Sequence, residues 1–411
     1  MDSNYDVIVI GAGAAGLIAA GTAAAQGKNT LVLERGKRPA QKVLITGKGR
    51  CNVTNNCTQD HFIAQVKTNG RFLYSAISAF TPQDTMAFFE RFGLPLKTER
   101  GGRVFPVSDN AADVASALCR YVKEYGARLE ADRVKELILQ DGAVCGVVTH
   151  QGKMYYAPSV IVATGGLSYP GTGSTGDGYQ FAEQAGHTVT PTAPALIPII
   201  TREDWCKRAM GLSLKNVTLT VTDERRGKTV FSELGEMLFT HFGISGPLVL
   251  SASSVMDSTR LSDYRMHIDL KPALTAERLD KRIQRDFVEN SNKDFSNSLG
   301  ALLPKKLIPV IVYLCKIAPD AKVNQITKEM RARLVQTMKQ LSLTPKAFRP
   351  IEEAIVTSGG VTVSEIDPKT MRSKRCGGLY FAGEVIDVDA YTGGYNLQIA
   401  FSTGYLAGCN A

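Results

Sequence analysis

The sequence contains no C-x-x-C pair. Its eight cysteines, at 51, 57, 119, 145, 206, 315, 376 and 409, offer neither zinc-ligand spacing nor a thioredoxin-like redox motif. A cytoplasmic protein is expected. His187, His241 and His267 share no metal-ligand spacing either, so no metal is predicted. No apolar run reaches the roughly 18 residues that a membrane span needs. The best candidate, LIPVIVYLCKIA from Leu307, is about a dozen residues long and reads as a buried helix. The start, YDVIVIGAGAAGLIAA, is preceded by Asp2 instead of a basic leader, which argues against a signal peptide. No five or six basic residues run together. The formal charge of +9 comes from 48 Lys and Arg spread along the chain, so it reads as a solvated surface and no nucleic-acid partner is expected.

What is present suits a globular protein: 411 residues, 44% hydrophobic and 21% charged, enough for two or three domains. Tyr5 to Ile10 is a β-branched run of the kind buried on both faces of a parallel sheet. It leads into Gly11, Gly13 and Gly16, then an alanine-rich helix to Gln26, then a second strand, NTLVLE. Gly11 allows a tight turn, Gly13 lets the backbone approach a pyrophosphate, and Gly16 allows helix to pack on strand. Glu34, about 20 residues on, is placed to accept from a ribose 2′-hydroxyl and disfavours a 2′-phosphate. The adenosine half of FAD or NAD is the predicted ligand.

A second glycine pattern, GTGSTGDG at 171–178, is a decoy by its context. Pro170 brings the chain in by a loop, Asp177 is expected to cap a short helix, and a proline-rich stretch follows where a βαβ unit would need a strand. One nucleotide grip is therefore predicted. Three β-rich runs from 134, punctuated by DG and QG, read as a meander leading to VIVATGG. Near the end, GLYFAGE at 378–384 reads as another strand. Gly393 and Gly394 then precede a helix from about Asn396, whose start would offer N–H groups and a positive dipole to the electron-rich edge of a flavin.

Four stretches carry a narrower likeness: KVLITGKGRCNVTN at 42–55, ATGGLSYPGTGSTGDGY at 163–179, GEMLFTHFGISGP at 235–247 and EIDPKTMRSKRCGGLYFAGEVIDVDAYTGGYNLQIAFSTG at 365–404. The chain resembles the BaiN/aminoacetone-oxidase-like family of bacterial FAD-dependent oxidoreductases, the YhiN-like flavoproteins. The likeness runs nearly end to end and is weakest from about 270 to 340. It implies an α/β, glutathione-reductase-like FAD-binding Rossmann fold with an inserted β-barrel-like domain that carries a helical subdomain. The expected division is 1–190 and 356–411 for the FAD-binding domain, 191–274 for the β-rich insert, 275–341 for the helical subdomain and 342–355 for the insert's return strand.

The resemblance implies noncovalent FAD, with NAD(P)H as transient reductant. Gly11, Gly13, Ala14, Ala15 and Gly16 would hold the pyrophosphate, Glu34 the ribose, Arg35 and Gln41 the rest of the adenosine half, and Val134 the adenine. Gly49, Arg50, Cys51 and Asn52 would line the flavin, with Thr164, Gly165, Gly383, Glu384, Asn396, Leu397 and Gln398 completing the site. No catalytic residue is fixed; Tyr169, Tyr391 and His241 are candidates. Cys51 and Cys57 have five intervening residues, one more than disulfide-reducing flavoenzymes use, so a redox disulfide is not expected. The implied activity is NAD(P)H-driven reduction of an activated C=C bond, such as a 3-oxo steroid or bile-acid enone, on a small hydrophobic substrate. A small-amine oxidase and an RNA-associated flavoprotein are the alternatives.

Overall fold

The computed structural model describes residues 3–411. The chain divides into two compact units, one made of residues up to Ala195 and Ile351–Ala411, the other of Leu196–Pro350. In the first, five parallel strands lie in the order Leu379–Phe381, Ser159–Val162, Val7–Ile10, Thr30–Glu34 and Arg128–Ala131. The central strand is apolar at every position, and Val7, Ile8 and Val9 are fully buried, as a strand covered on both faces requires. Helix Ala14–Ala25 follows it directly.

The last helix, Tyr395–Asn410, packs on that first helix through small residues. A Cβ added at Gly404 would stand 2.3 Å from the Ala15 carbonyl oxygen, and one at Gly408 2.4 Å from that of Ala19. Only glycine permits so close an approach. The meander forms as expected from Val134–Gln140, Ala143–Thr149 and Met154–Tyr156, with Ser3–Asn4 added in parallel to its last strand. Val189–Ala195 pairs antiparallel with Val356–Val361, and this ladder keeps residues 191–195 in the first unit, whereas the expected division began the insert at 191.

The second unit holds a seven-stranded sheet in the order Leu341–Leu343, Tyr264–Asp269, Ser213–Asp223, Lys228–Phe239, Gly243–Ser245, Ile199–Thr201 and Pro345–Phe348. Every neighbouring pair is antiparallel. The two outermost strands are separated in sequence by Thr344 alone, so the sheet must curl to bring its edges together, which is the geometry of a barrel. Four helices, Ala276–Glu289, Phe295–Ser298, Ile308–Cys315 and Lys328–Lys339, lie between two of its strands in the chain. Leu279, Ile283, Leu334 and Met338 bury their apolar faces. Among the described residues no helix is long and apolar enough to cross a membrane.

Candidate cofactor and active site

The first glycine turn has the geometry its residues require. Gly11 has φ +101°, and a Cβ there would sit 2.7 Å from the Ala163 carbonyl oxygen; at Gly16 it would sit 1.9 Å from that of Gly11. Gly13 differs, since a Cβ there would meet nothing within 4 Å. It borders open space at the helix N-terminus. The first intrahelical bond runs from the Leu17 N–H to the Gly13 carbonyl oxygen, so Ala14, Ala15 and Gly16 present amides with no intrahelical acceptor. That is an anion cradle.

Glu34 ends the second strand beside this cradle and accepts from the amides of Ala12 and Gly36, both at 2.7 Å. An ionised carboxylate has about four acceptor sites, so a ribose hydroxyl can still be received. Arg35 donates to Thr175 and, at 3.5 Å, to Asp177. Burial would raise the Asp177 carboxyl, but bonds from Arg133 and Thr175, with the charge of Arg35, hold it below its ordinary range. These bonds pin the second glycine loop against the residue after Glu34. Gly176, at φ +82°, caps the short helix Asp177–Gln184, and Asp177 is its first helical residue instead of the expected cap, because its carboxylate is turned to Arg133. The next strand, Val189–Ala195, is antiparallel, so no second βαβ unit follows. Gln41 begins a short helix after Ala40, whose amide bonds the Ala12 carbonyl oxygen, and buried Val134 opens the meander.

The segment after Gln41–Ile45 winds through left-handed positions at Gly47, Lys48, Gly49 and Cys51. Two expected flavin-lining side chains are diverted here. Cys51 is 0% exposed: its φ of +57° turns the thiol into the core, where burial pushes it up to about 12. Arg50 bonds Glu99 and Asp109 and stacks 4.1 Å from the centre of the Phe105 ring, so its charge is already matched. Asn52 is better placed for a ligand, being half-buried with an Oδ1 that has no partner; the Thr164 hydroxyl is also unpartnered. Gly165 has φ +75° and a Cβ there would crowd Ser174 at 2.8 Å.

From the C-terminal side, Gly383 approaches the cradle directly, since a Cβ on it would stand 2.8 Å from that of Ala15. Glu384 accepts from the Lys42 ammonium at 2.6 Å, from Ser168 at 2.8 Å and from the Thr357 amide at 2.8 Å. The final helix makes its first internal bond from the Gln398 N–H to the Gly394 oxygen, leaving the Asn396 and Leu397 amides at its open end. The Asn396 side chain buckles the preceding loop through Ala390 and Tyr391. Gln398 is the third diverted residue. At 0% exposure, its amide is consumed by Thr54, Phe80 and Ser402, because its position on the helix faces the core.

Tyr169 is half-buried at φ +53°, and burial together with Glu353 raises its hydroxyl above the ordinary range. Tyr391 donates its amide to Gln65 at 3.1 Å. His241 lies in the second unit, exposed, with its ring edge-on to Phe242. Sequence reading missed Lys42, Ser168 and Thr357; Lys42 and Glu384 are 342 positions apart, and no local pattern links them. Two helix ends with open amides, glycines where ligand must come close and two orphaned polar atoms in the same unit fit a large, anionic dinucleotide such as FAD.

All eight cysteines are free, and burial pushes Cys57 up to about 11 as well. A raised thiol is a poor source of thiolate, which argues against disulfide exchange at this pair. Anaerobic dithionite titration of the FAD-loaded protein is expected to end at two electrons per flavin; four would reveal a redox disulfide beside it.

A family model described as HI0933-like protein Rossmann domain matches residues 5–410. A ribosomal RNA dihydrouridine synthase of Haemophilus influenzae is 35% identical over 98% of both chains, and the one of Escherichia coli is 31% identical over 98% of this chain and 96% of its own. A 3-dehydro-bile acid delta(4,6)-reductase of Clostridium scindens is 32% identical over 97% of both. Among solved structures, the 3-ketosteroid delta1-dehydrogenase of Sterolibacterium denitrificans aligns over 99% of both chains with a TM-score of 0.52 at 14% identity, a likeness of fold.

Proposed function

The chain belongs to the HI0933-like Rossmann-domain family and is an FAD-dependent oxidoreductase, and we propose that it reduces a C=C bond conjugated to a carbonyl, the C5=C6 bond of uracil in RNA. The observation that carries this reading is what the full-length relatives share. A dihydrouridine is a uridine saturated at a bond conjugated to its C4 carbonyl. A delta(4,6) bond of a 3-oxo steroid is conjugated to its C3 carbonyl. One chemistry covers both names, and two of the three relatives name RNA.

When bound, FAD supplies a two-electron relay, with NAD(P)H as the expected source of reducing equivalents. The β-carbon gains hydride and the α-carbon a proton, so NAD(P)H and one proton are consumed for each bond saturated. The amides of Ala14, Ala15 and Gly16 would hold the pyrophosphate, and those at the start of the last helix would offer their N–H groups to the electron-rich part of the flavin. Tyr169 and Tyr391 are the candidate donors of the proton to the α-carbon.

The test is to incubate the flavoprotein with NADPH and unmodified ribosomal RNA, then digest and weigh the nucleosides. One uridine is expected to gain about 2 Da, the mass of two hydrogens. Saturation of a 3-oxo-4,6-dienoic steroid with untouched RNA establishes the second reading, which the Clostridium scindens relative favours. Peroxide formation from a small amine, with neither acceptor reduced, overturns both.

A further inference from the structure

The two units do not share the positive charge. Leu196–Pro350 holds 25 Lys and Arg against 16 Asp and Glu, whereas the other 256 residues hold 23 of each. The entire formal excess of +9 therefore belongs to the inserted unit. The excess lies in one continuous stretch of the chain and shows once acidic residues are counted against basic ones unit by unit.

Within the insert, cations gather where the turn Asp204–Ala209 meets the helix Ile308–Cys315. The Arg208 guanidinium lies 5.6 Å from the centre of the Tyr313 ring. Lys306 Nζ donates to the Met210 carbonyl oxygen at 3.0 Å, and Arg333 Nε to that of Cys315 at 3.2 Å, next to exposed Lys316. Lys207 and Lys305 are exposed beside them. Asp204, 4.0 Å from Lys207, is the carboxylate paired within this group, and no acidic residue occurs in the chain between Asp294 and Asp320. Cations at a helix C-terminus satisfy its last carbonyls, which accounts for Lys316 and Arg333. It does not account for Arg208, Lys305 and Lys306, nor for Tyr313 and Met210 being 63% and 52% exposed at their centre.

We propose that this patch docks the RNA substrate: its cations neutralise backbone phosphates, and Tyr313, stiffened by Arg208, stacks an unpaired base. The inference rests on the RNA reading above and adds to it a surface and a role for the insert. An exposed aromatic ringed by cations is the pattern that single-stranded RNA favours, since phosphates supply affinity and any base has a face to stack. A small steroid needs no such field.

The test compares the full-length, FAD-loaded protein with R208Q/K305Q/K306Q/K316Q, and with K28Q/K67Q/K123Q/K369Q, which removes the same charge from exposed positions of the first unit. Binding of a fluorescent ribosomal RNA fragment is followed by anisotropy as salt is raised. The patch variant is expected to bind at least about tenfold more weakly at low salt, with a log–log salt slope shallower by about three. Tyr313→Ala alone should weaken binding about fivefold or more. The control should stay within about threefold of the parent, where loss of only long-range charge leaves it, and flavin reduction by NADPH should be the same in all four. Equal weakening of patch and control variants overturns the proposal, as does polyglutamate competing as well as RNA of equal charge, which assigns an acidic protein instead. RNA held through the patch but never reduced overturns the uracil-reductase reading and leaves the docking surface standing. Dihydrouridine formed equally well by parent and patch variant at limiting RNA does the reverse.

Discussion

Gly13→Val yields a folded protein that is colourless as purified. Gly13 has φ −80° and ψ −170°, a conformation open to any residue, and no atom of the protein lies within 4 Å of an added Cβ. The valine side chain projects where the pyrophosphate must approach, so its cost falls on the cofactor alone. Crowding of this kind costs about 1–3 kcal/mol, or roughly tenfold to a hundredfold in FAD affinity. The melting temperature of the cofactor-free variant should equal that of the cofactor-free parent, while the same added FAD raises the variant's by less than the parent's. Gly16→Ala is the contrasting lesion: its Cβ would stand 1.9 Å from the Gly11 carbonyl oxygen, so it damages the fold with or without cofactor. A yellow Gly13→Val protein with the parent's FAD affinity would mean the phosphates lie elsewhere.

That experiment relies on a feature the sequence displays openly, because the glycine turn is local. Strand, turn, helix and acidic residue occupy about 30 consecutive positions, and their order alone sets the geometry. The parallel strands at Ser159–Val162 and Leu379–Phe381 were legible for the same reason, each an apolar run ending in glycine. Side-chain direction was not. Cys51 and Gln398 lie in segments that reach the cofactor region, yet a left-handed φ at one and helical phase at the other turn both side chains into the core. Arg50 was diverted by Glu99 and Asp109, partners about 50 and 60 positions away that no spacing rule couples to it. Charge misled in the opposite way: basic residues occur throughout the chain, but the net excess lies in the continuous stretch Leu196–Pro350 and shows only when acidic residues are counted there too.

Lys42→Met is expected to damage the protein more than Lys42→Met and Glu384→Gln combined. The Glu384 carboxylate gathers three segments, through Lys42, Ser168 and Thr357, and Lys42 also donates to Ser168 at 2.6 Å. Removing the lysine strands a negative charge whose side chain is only 19% exposed. Breaking a fully buried pair costs about 3–5 kcal/mol, and with both partners about a fifth exposed, solvent screening brings the expected loss to about 2 kcal/mol. Neutralising both removes the stranded charge, and glutamine can still accept from Thr357, so the double variant should recover about 1 kcal/mol or more. Urea unfolding of the cofactor-free proteins measures the cycle. The clamp also holds the residue after Gly383 against the cradle, so FAD affinity should fall with Lys42→Met and return partly in the double variant. Additive losses would show that the lysine and the carboxylate act independently, and that the C-terminal segment is held to the glycine turn by packing at Gly383 and Gly404 alone.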